Sequence, residues 1–163
     1  MRVYVTYSRY DRGESYSIYH IDTSMRSSVQ HWKEKDLPNF LGYGPDDVSQ
    51  LYLIRCDLTG PEIEVLQEAR TSQSDFDIEF ENLMDSIHEE VDEDDIIYLT
   101  SGEECFEILE WFQIHFRKFI NPDDFWDEIP EDEDVLNDEL QQILFDNEPV
   151  WDKVLEHWIR INY

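Results

Sequence analysis

Apolar and polar residues alternate in two runs near the start of the chain, RVYVTYSRY (residues 2–10) and SYSIYHID (15–22). Successive side chains of a strand point to opposite faces, and both runs are rich in β-branched and aromatic types, so they predict two strands. The intervening DRGE predicts a turn at Asp11–Glu14, with Gly13 available for a positive φ. QLYLIRCDL (50–58) carries a third strand, and IIYLTSG (96–102) a shorter fourth one. Between the hairpin and the third strand, a short helix is expected over 24–35, followed by a loop in the Pro- and Gly-containing LPNFLGYGPDD (37–47).

After residue 58 the apolar period changes to three and four. Thr59 before Pro61 predicts a capped helix ending near RTSQS (70–74), because Pro suits a first helical turn. Ser74, with Asp77 three residues on, predicts the start of a helix whose apolar face is Phe76, Phe80, Leu83, Met84, Ile87 and Val91. Thr100 or Ser101 would cap the next. There Cys105, Phe106, Ile108, Leu109, Trp111, Phe112, Phe116 and Phe119 cover more than one face, which predicts a central helix. Asn121-Pro122 signals a further start and Pro130 a break. The last helix opens at Pro149 with Val150, Trp151, Val154, Leu155, Trp158 and Ile159 on one stripe. The elements predict an α+β fold: an N-terminal β-hairpin and small sheet followed by a helix-rich acidic C-terminal part, within one domain over 1–163. CDLTGPEIEVL and IYLTSGEECFEIL share a strand–helix pattern, but the match is too short to establish a duplication.

Charge changes the picture. The chain has 40 acidic and 12 basic side chains, a net charge of −28, yet 40% hydrophobic and 14% aromatic content argues for a folded protein. Residues 1–60 are near neutral, with seven basic and eight acidic groups, whereas 61–163 hold five and thirty-two. Adaptation to a salty solvent would act over the whole surface, so this asymmetry disfavours it. No leader-like or membrane-spanning apolar run is evident, which predicts a cytoplasmic protein. Cys56 and Cys105 each sit in an apolar pattern and read as reduced core thiols.

NPDDFWDEIPEDEDVLNDEL (121–140) concentrates the question, with ten carboxylates and no Lys or Arg. Asp123 and Asp124 would suit the first turn of a helix. Asp127, Glu128, Glu131, Asp132, Glu133, Asp134, Asp138 and Glu139 have only one another as charged neighbours in the sequence, which costs on the order of 1–3 kcal/mol of a total of about 5–15. Solubility needs less charge than this, so these residues, with Asp92, Glu93, Asp94 and Asp95 as a second row, are the candidate partner-binding groups. A helix over 122–139 would repeat carboxylates about every ~3 Å, near the phosphate interval of one B-DNA strand.

Other chemistries find less support. No cofactor is implied. An EF-hand needs a Gly at its sixth position, which neither acidic run supplies, and a di-metal carboxylate site needs Glu-x-x-His pairs where the chain offers Asp85-x-x-His88. His20, His31, His88, His115 and His157 are scattered in sequence, and His115 on an apolar helix reads as a core residue. No nucleotide-binding, hydrolase or zinc-protease motif is present, so the expectation is a protein that is not an enzyme. Direct nucleic-acid binding lacks its cationic patch.

The opening VYVTYSRYDRGES, through Val3, Tyr4, Val5, Tyr10, Asp11 and Gly13, resembles the N-terminal strand and turn of the ArdA-type antirestriction proteins of phages and mobile elements. Where that family carries Gly-x-Trp after the turn, this chain has Ser17–Tyr19. The resemblance implies an acidic DNA mimic that occupies a restriction enzyme, and the charge pattern fits acidic phage inhibitors of DNA-targeting defences, CRISPR nucleases included. The expected partner is therefore a basic nucleic-acid-binding protein or nuclease of a bacterial host, with no membrane contact and the oligomeric state, monomer or homodimer, left open. An immunity protein against a basic nuclease toxin and an acidic virion or assembly component are the alternatives.

Overall fold

Arg2–Tyr10 (β1) and Ser15–Asp22 (β2) pair antiparallel as the alternation predicts, in a computed structural model that describes residues 1–12, 15–44, 46–71 and 77–163. Gly13 and Glu14 of the expected turn lie outside the described residues. Ser49–Asp57 (β3) and Ile96–Ser101 (β4) complete an antiparallel sheet of order β2-β1-β3-β4. Helices dominate the later part of the chain, and the arrangement is α+β. The chain divides into two compact units, Met1–Gly102 and Glu103–Tyr163, and no linker-like composition marks the junction. The first carries twenty-two acidic and eight basic groups, the second eighteen and four.

In the first unit both faces of the sheet are covered, which is why Leu51, Tyr52, Leu53 and Ile54 form a continuous buried run where a one-sided sheet would alternate. One face, with Val3, Val5, Tyr7, Tyr52 and Ile54, packs on Leu66 of Gly60–Thr71 (α3) and on Met84 and Ile87 of Ile78–Glu90 (α4). On the other side Met25–His31 (α1) contacts β1 and β2, and the wholly buried Trp32 stacks on Tyr98 with ring centroids 5.8 Å apart.

The expected loop at LPNFLG is instead a helix, Leu37–Gly42 (α2), entered through a π-helical turn at Trp32–Asp36. Pro38 has no N–H for the Glu34 carbonyl and its ring would crowd that group in a continuous α-helix. Widening the preceding turn, so that the Leu37 N–H reaches the Trp32 carbonyl, lets the chain pass Pro38 and continue to bury Leu37, Phe40 and Leu41.

Thr59 caps α3 as expected, and reciprocally. Its hydroxyl accepts the Glu62 N–H at 3.3 Å and donates to the Glu62 carboxylate at 2.7 Å, while its own N–H reaches that carboxylate at 3.3 Å. Thr59→Ala should cost about 1 kcal/mol, read as a lowered urea midpoint with unchanged m-value. The proposed cap Ser74 and Phe76 lie outside the described residues. The observed N-cap of α4 is Asp77, which accepts the N–H groups of Glu79 and Phe80.

Two polar pairs inside this unit are made by aromatic residues. Tyr7 stacks on Tyr52 at 5.0 Å and its hydroxyl lies 2.8 Å from Nδ1 of His88. Tyr16 donates to Asp85 at 2.8 Å, and burial pushes its phenol up to about 12. Burial holds the His88 imidazole below the ordinary 6.5, so its native interactions favour the neutral ring. Its stabilising contribution is therefore complete above pH 6.5 and is lost as pH falls through the lowered value. The stability advantage of the wild-type protein over His88→Gln, measured by urea unfolding at a series of pH values, should shrink below pH 6.5 and be constant above it.

In the second unit Glu104–His115 (α5), Glu133–Asp146 (α6) and Glu148–Asn162 (α7) pack on one another around Ile108, Phe112, Leu140, Leu144, Val154 and Leu155. The α7 stripe buries Val154, Leu155, Trp158 and Ile159 as read from its spacing. One expectation for α5 changes. Thr100 and Ser101 belong to β4, and the helix starts from Glu103 without a side-chain cap, because the strand continues to Ser101. The helix is contacted on several sides, by α6, α7 and the 3₁₀ turn after it, while Phe106 and Ile114 stay 60% and 75% exposed. His115 is half-buried against Trp111. Neither cysteine is in a disulfide among the described residues, and burial pushes Cys56 up to about 12 and Cys105 up to about 11.

Candidate partner-binding surface

The carboxylates of 123–139 in the second unit are mounted on three kinds of backbone. Asp123 and Asp124 lie in a single 3₁₀ turn, Pro122–Asp124, whose Asn121 side chain accepts the Asp123 N–H at 3.3 Å. Asp127, Glu128 and Glu131 lie on an irregular segment, residues 125–132, which ends where Asp132 caps α6 by accepting the Asp134 N–H at 3.0 Å. Glu133 and Asp134 occupy the first turn of α6, where the N-terminal end of the helix dipole favours negative charge by about 0.3–1 kcal/mol each. Asp138 follows on the exposed side.

A continuous helix over 122–139 is not formed. Pro130 supplies no N–H and disfavours helical geometry at Ile129. A helix would also set many of these acids three and four apart on one face, where like charges repel. The even spacing of about ~3 Å expected from helical rise is therefore absent. The arrangement keeps the density of the charge and loses its period.

The irregular segment is nevertheless fastened. The Trp126 indole N–H donates to the Glu139 carboxylate on α6, and the ring meets Phe116 edge-on, with centroids 6.4 Å apart and planes at 89°. Trp126, Ile129, Pro130 and Leu136 are half-buried and Leu140 is fully buried, whereas Phe125 and Val135 stay exposed. Of the ten acids, Glu139 alone is half-buried and the other nine are exposed. None of the ten makes an ion pair among the described residues. Trp126→Phe removes the tie to Glu139 and should raise amide hydrogen exchange over 125–132 by about tenfold, while exchange in the middle of α7 stays unchanged.

The second group lies in the first unit. Glu93–Asp95 forms a 3₁₀ turn leading into β4, with Asp92 before it. Asp92, Glu93 and Asp94 are exposed. Asp95 is engaged internally, because Nε and a terminal nitrogen of Arg55 on β3 both lie 2.9 Å from one of its oxygens. Its charge is thus met within the unit, and the outward-facing acids here number three.

Among the described residues no group of three or more His, Cys, Asp or Glu side chains is placed to hold a metal ion, and no helix is long and apolar enough to cross a membrane. A cluster that sequence reading missed joins His20, His31 and Asp36 in the first unit, the last two lining a cleft of about 570 Å³. Its members stand on different elements, and their convergence depends on the π turn, for which the sequence gives no periodic signal. Comparison with known proteins returned no matching family model, no matching curated protein and no matching solved structure.

Proposed function

We propose that this protein is an acidic inhibitor that occupies the nucleic-acid groove of a basic bacterial protein, such as a restriction or CRISPR nuclease, using the carboxylates of residues 123–139. One observation carries the reading: ten carboxylates without an internal cation, nine of them exposed, sit on a segment fastened at Asn121, Trp126 and the N-terminus of α6. Anchoring lowers the conformational entropy lost on binding, and the uncompensated charge favours a cationic cleft. The acids imitate the charge density of a polynucleotide and not its phosphate interval, so the fit is to one groove and not to nucleic-acid-binding proteins at large.

The protein acts in this reading by binding and performs no chemistry, and its place of action is the cytoplasm of a bacterial host. Initial-rate measurements on restriction and CRISPR nucleases, at several DNA concentrations and two ionic strengths, test it. Competitive inhibition that weakens steeply with salt is expected. Inhibition independent of DNA concentration contradicts it.

A further inference from the structure

The packing of His20 on His31 takes no part in that reading. The two rings stack with centroids 3.8 Å apart and planes within 8°, and they belong to different layers, His20 to β2 and His31 to the end of α1. The stack therefore ties the sheet to the helices on that face. Both segments that it joins are locally irregular. The β1–β2 register slips between Thr6, opposite His20, and Tyr7, opposite Ile18, so that Tyr19 is an extra residue, and His31 leads directly into the π turn Trp32–Asp36. Interrupted ladders and widened turns open more readily than regular elements.

The acids beside the rings divide the other way. Nδ1 of His31 is 2.9 Å from Oδ1 of Asp36, which closes the π turn. Nε2 of His20 is 3.6 Å from Oδ2 of Asp22, further along β2 and on the same side of the strand. Each imidazole thus has a carboxylate in its own layer, whereas the ring contact crosses between layers. Among the described residues neither nitrogen of His20 has a hydrogen-bond partner, and both are buried. The Asp22 contact falls just short of a hydrogen bond.

A neutral His20 in this position leaves one N–H unmatched, and a protonated one leaves two. A second positive charge would also face His31 at stacking distance, where like charges repel strongly even at the dielectric of a protein surface. The other charged groups around His20 are Asp36 from the π turn, Arg70 from α3 and Asp22 from its own strand, while β1 contributes the uncharged Thr6. Lys35 and Tyr19 line the adjoining cleft with His31. Burial and the His31 ring hold the His20 imidazole below the ordinary 6.5, with Arg70 acting in the same sense and the two carboxylates against it. The contribution of the neutral ring is therefore complete above pH 6.5 and is lost as pH falls through the lowered value.

We propose that the stacked His20 and His31 form a proton-operated latch between β2 and the layer of α1 and the π turn. Protonation of His20 breaks the stack, the ring closes the short gap to Asp22, and His31 stays with Asp36. The closed form is held by an aromatic contact across the layers, and the open form replaces it with ion pairs inside each layer. Ser17, Ile18 and Tyr19 form one wall of the adjoining cleft and His31, Asp36 and Asn39 another, so parting the rings widens it.

Imidazole resonances of His20 and His31 and amide hydrogen exchange of the full chain, followed together from about pH 8 to about pH 5, test the latch. The His20 ring should titrate below 6.5. In step with it, protection of Ser17–Asp22 and Met25–Asp36 should fall about tenfold more than that of β3. His20→Phe keeps a ring on His31 that takes no proton, so this difference should vanish although His88 still titrates. Asp22→Asn keeps an acceptor for the Ser24 N–H but offers a protonated His20 no charge, so the titration and the extra exchange should both move to lower pH. A His20 ring that stays neutral down to about pH 5, exchange in both segments that tracks β3 throughout, or an unchanged pH response in either variant would each overturn it.

Discussion

Replacing Asp127, Glu128, Glu131 and Asp132 together by Asn, Gln, Gln and Asn should weaken partner binding by roughly 30- to 700-fold while making the protein itself more stable. The four are exposed and sit on the irregular segment that α6 and Trp126 hold in place, Asp132 at its end as the cap of α6. At about 0.5–1 kcal/mol for each charge facing a cationic groove, the four contribute ~2–4 kcal/mol. Asn serves as well as Asp at a helix N-cap, so Asp132→Asn keeps the start of α6 intact. Removing like-charge repulsion returns about ~1 kcal/mol, or about 2–4 °C in Tm. The opposite signs on binding and stability separate a surface kept for a partner from one kept for the fold. A loss of both together would show that the acids support the structure.

The second large effect belongs to the fold. Trp32→Ala should cost about 3–5 kcal/mol, a substantial share of a total near 5–15, because the side chain is fully buried and stacks on Tyr98. Trp32→Phe should cost far less, about 1 kcal/mol or below. It keeps a ring against Tyr98 and removes an indole N–H that has no hydrogen-bond partner, which offsets part of the lost contact. Urea unfolding of the three proteins reads this directly. Equal losses for Ala and Phe would mean that the indole nitrogen is satisfied and the orphaned donor is no burden.

How far these features could be read from sequence varied with the range of the interactions behind them. The β1–β2 hairpin, β3 and the α7 stripe followed from periods of two and of three to four, because each buries a face against a neighbour along its whole length. The Thr59–Glu62 cap was legible through its Thr–Gly–Pro start, since all its atoms come from adjacent residues. Pro38 misled, because a proline ends a helix only where the preceding turn cannot widen, and here burial of Leu37, Phe40 and Leu41 favours the wider turn.

The acidic stretch was legible as charge and not as shape. Composition identified every carboxylate in it, but helical spacing was an assumption that Pro130 and repulsion between neighbouring acids defeat. Asp95 could not be separated from Asp94 by sequence, because its partner Arg55 lies on another strand. The cluster of His20, His31 and Asp36 was hidden for the same reason. One member stands on β2, one ends α1 and one closes the π turn, so only the folded register brings them together.

The most direct measurement of the central claim is a displacement experiment. The immobilised wild-type protein and the four-site variant are exposed to a bacterial host lysate at low salt, then challenged with duplex DNA, with an uncharged polymer, and with rising salt. The account predicts that a basic nucleic-acid-binding protein is retained by the wild type, is released by DNA and by salt but not by the polymer, and is not retained by the variant. Retention of the same protein by the variant, or retention that duplex DNA leaves untouched, would contradict it.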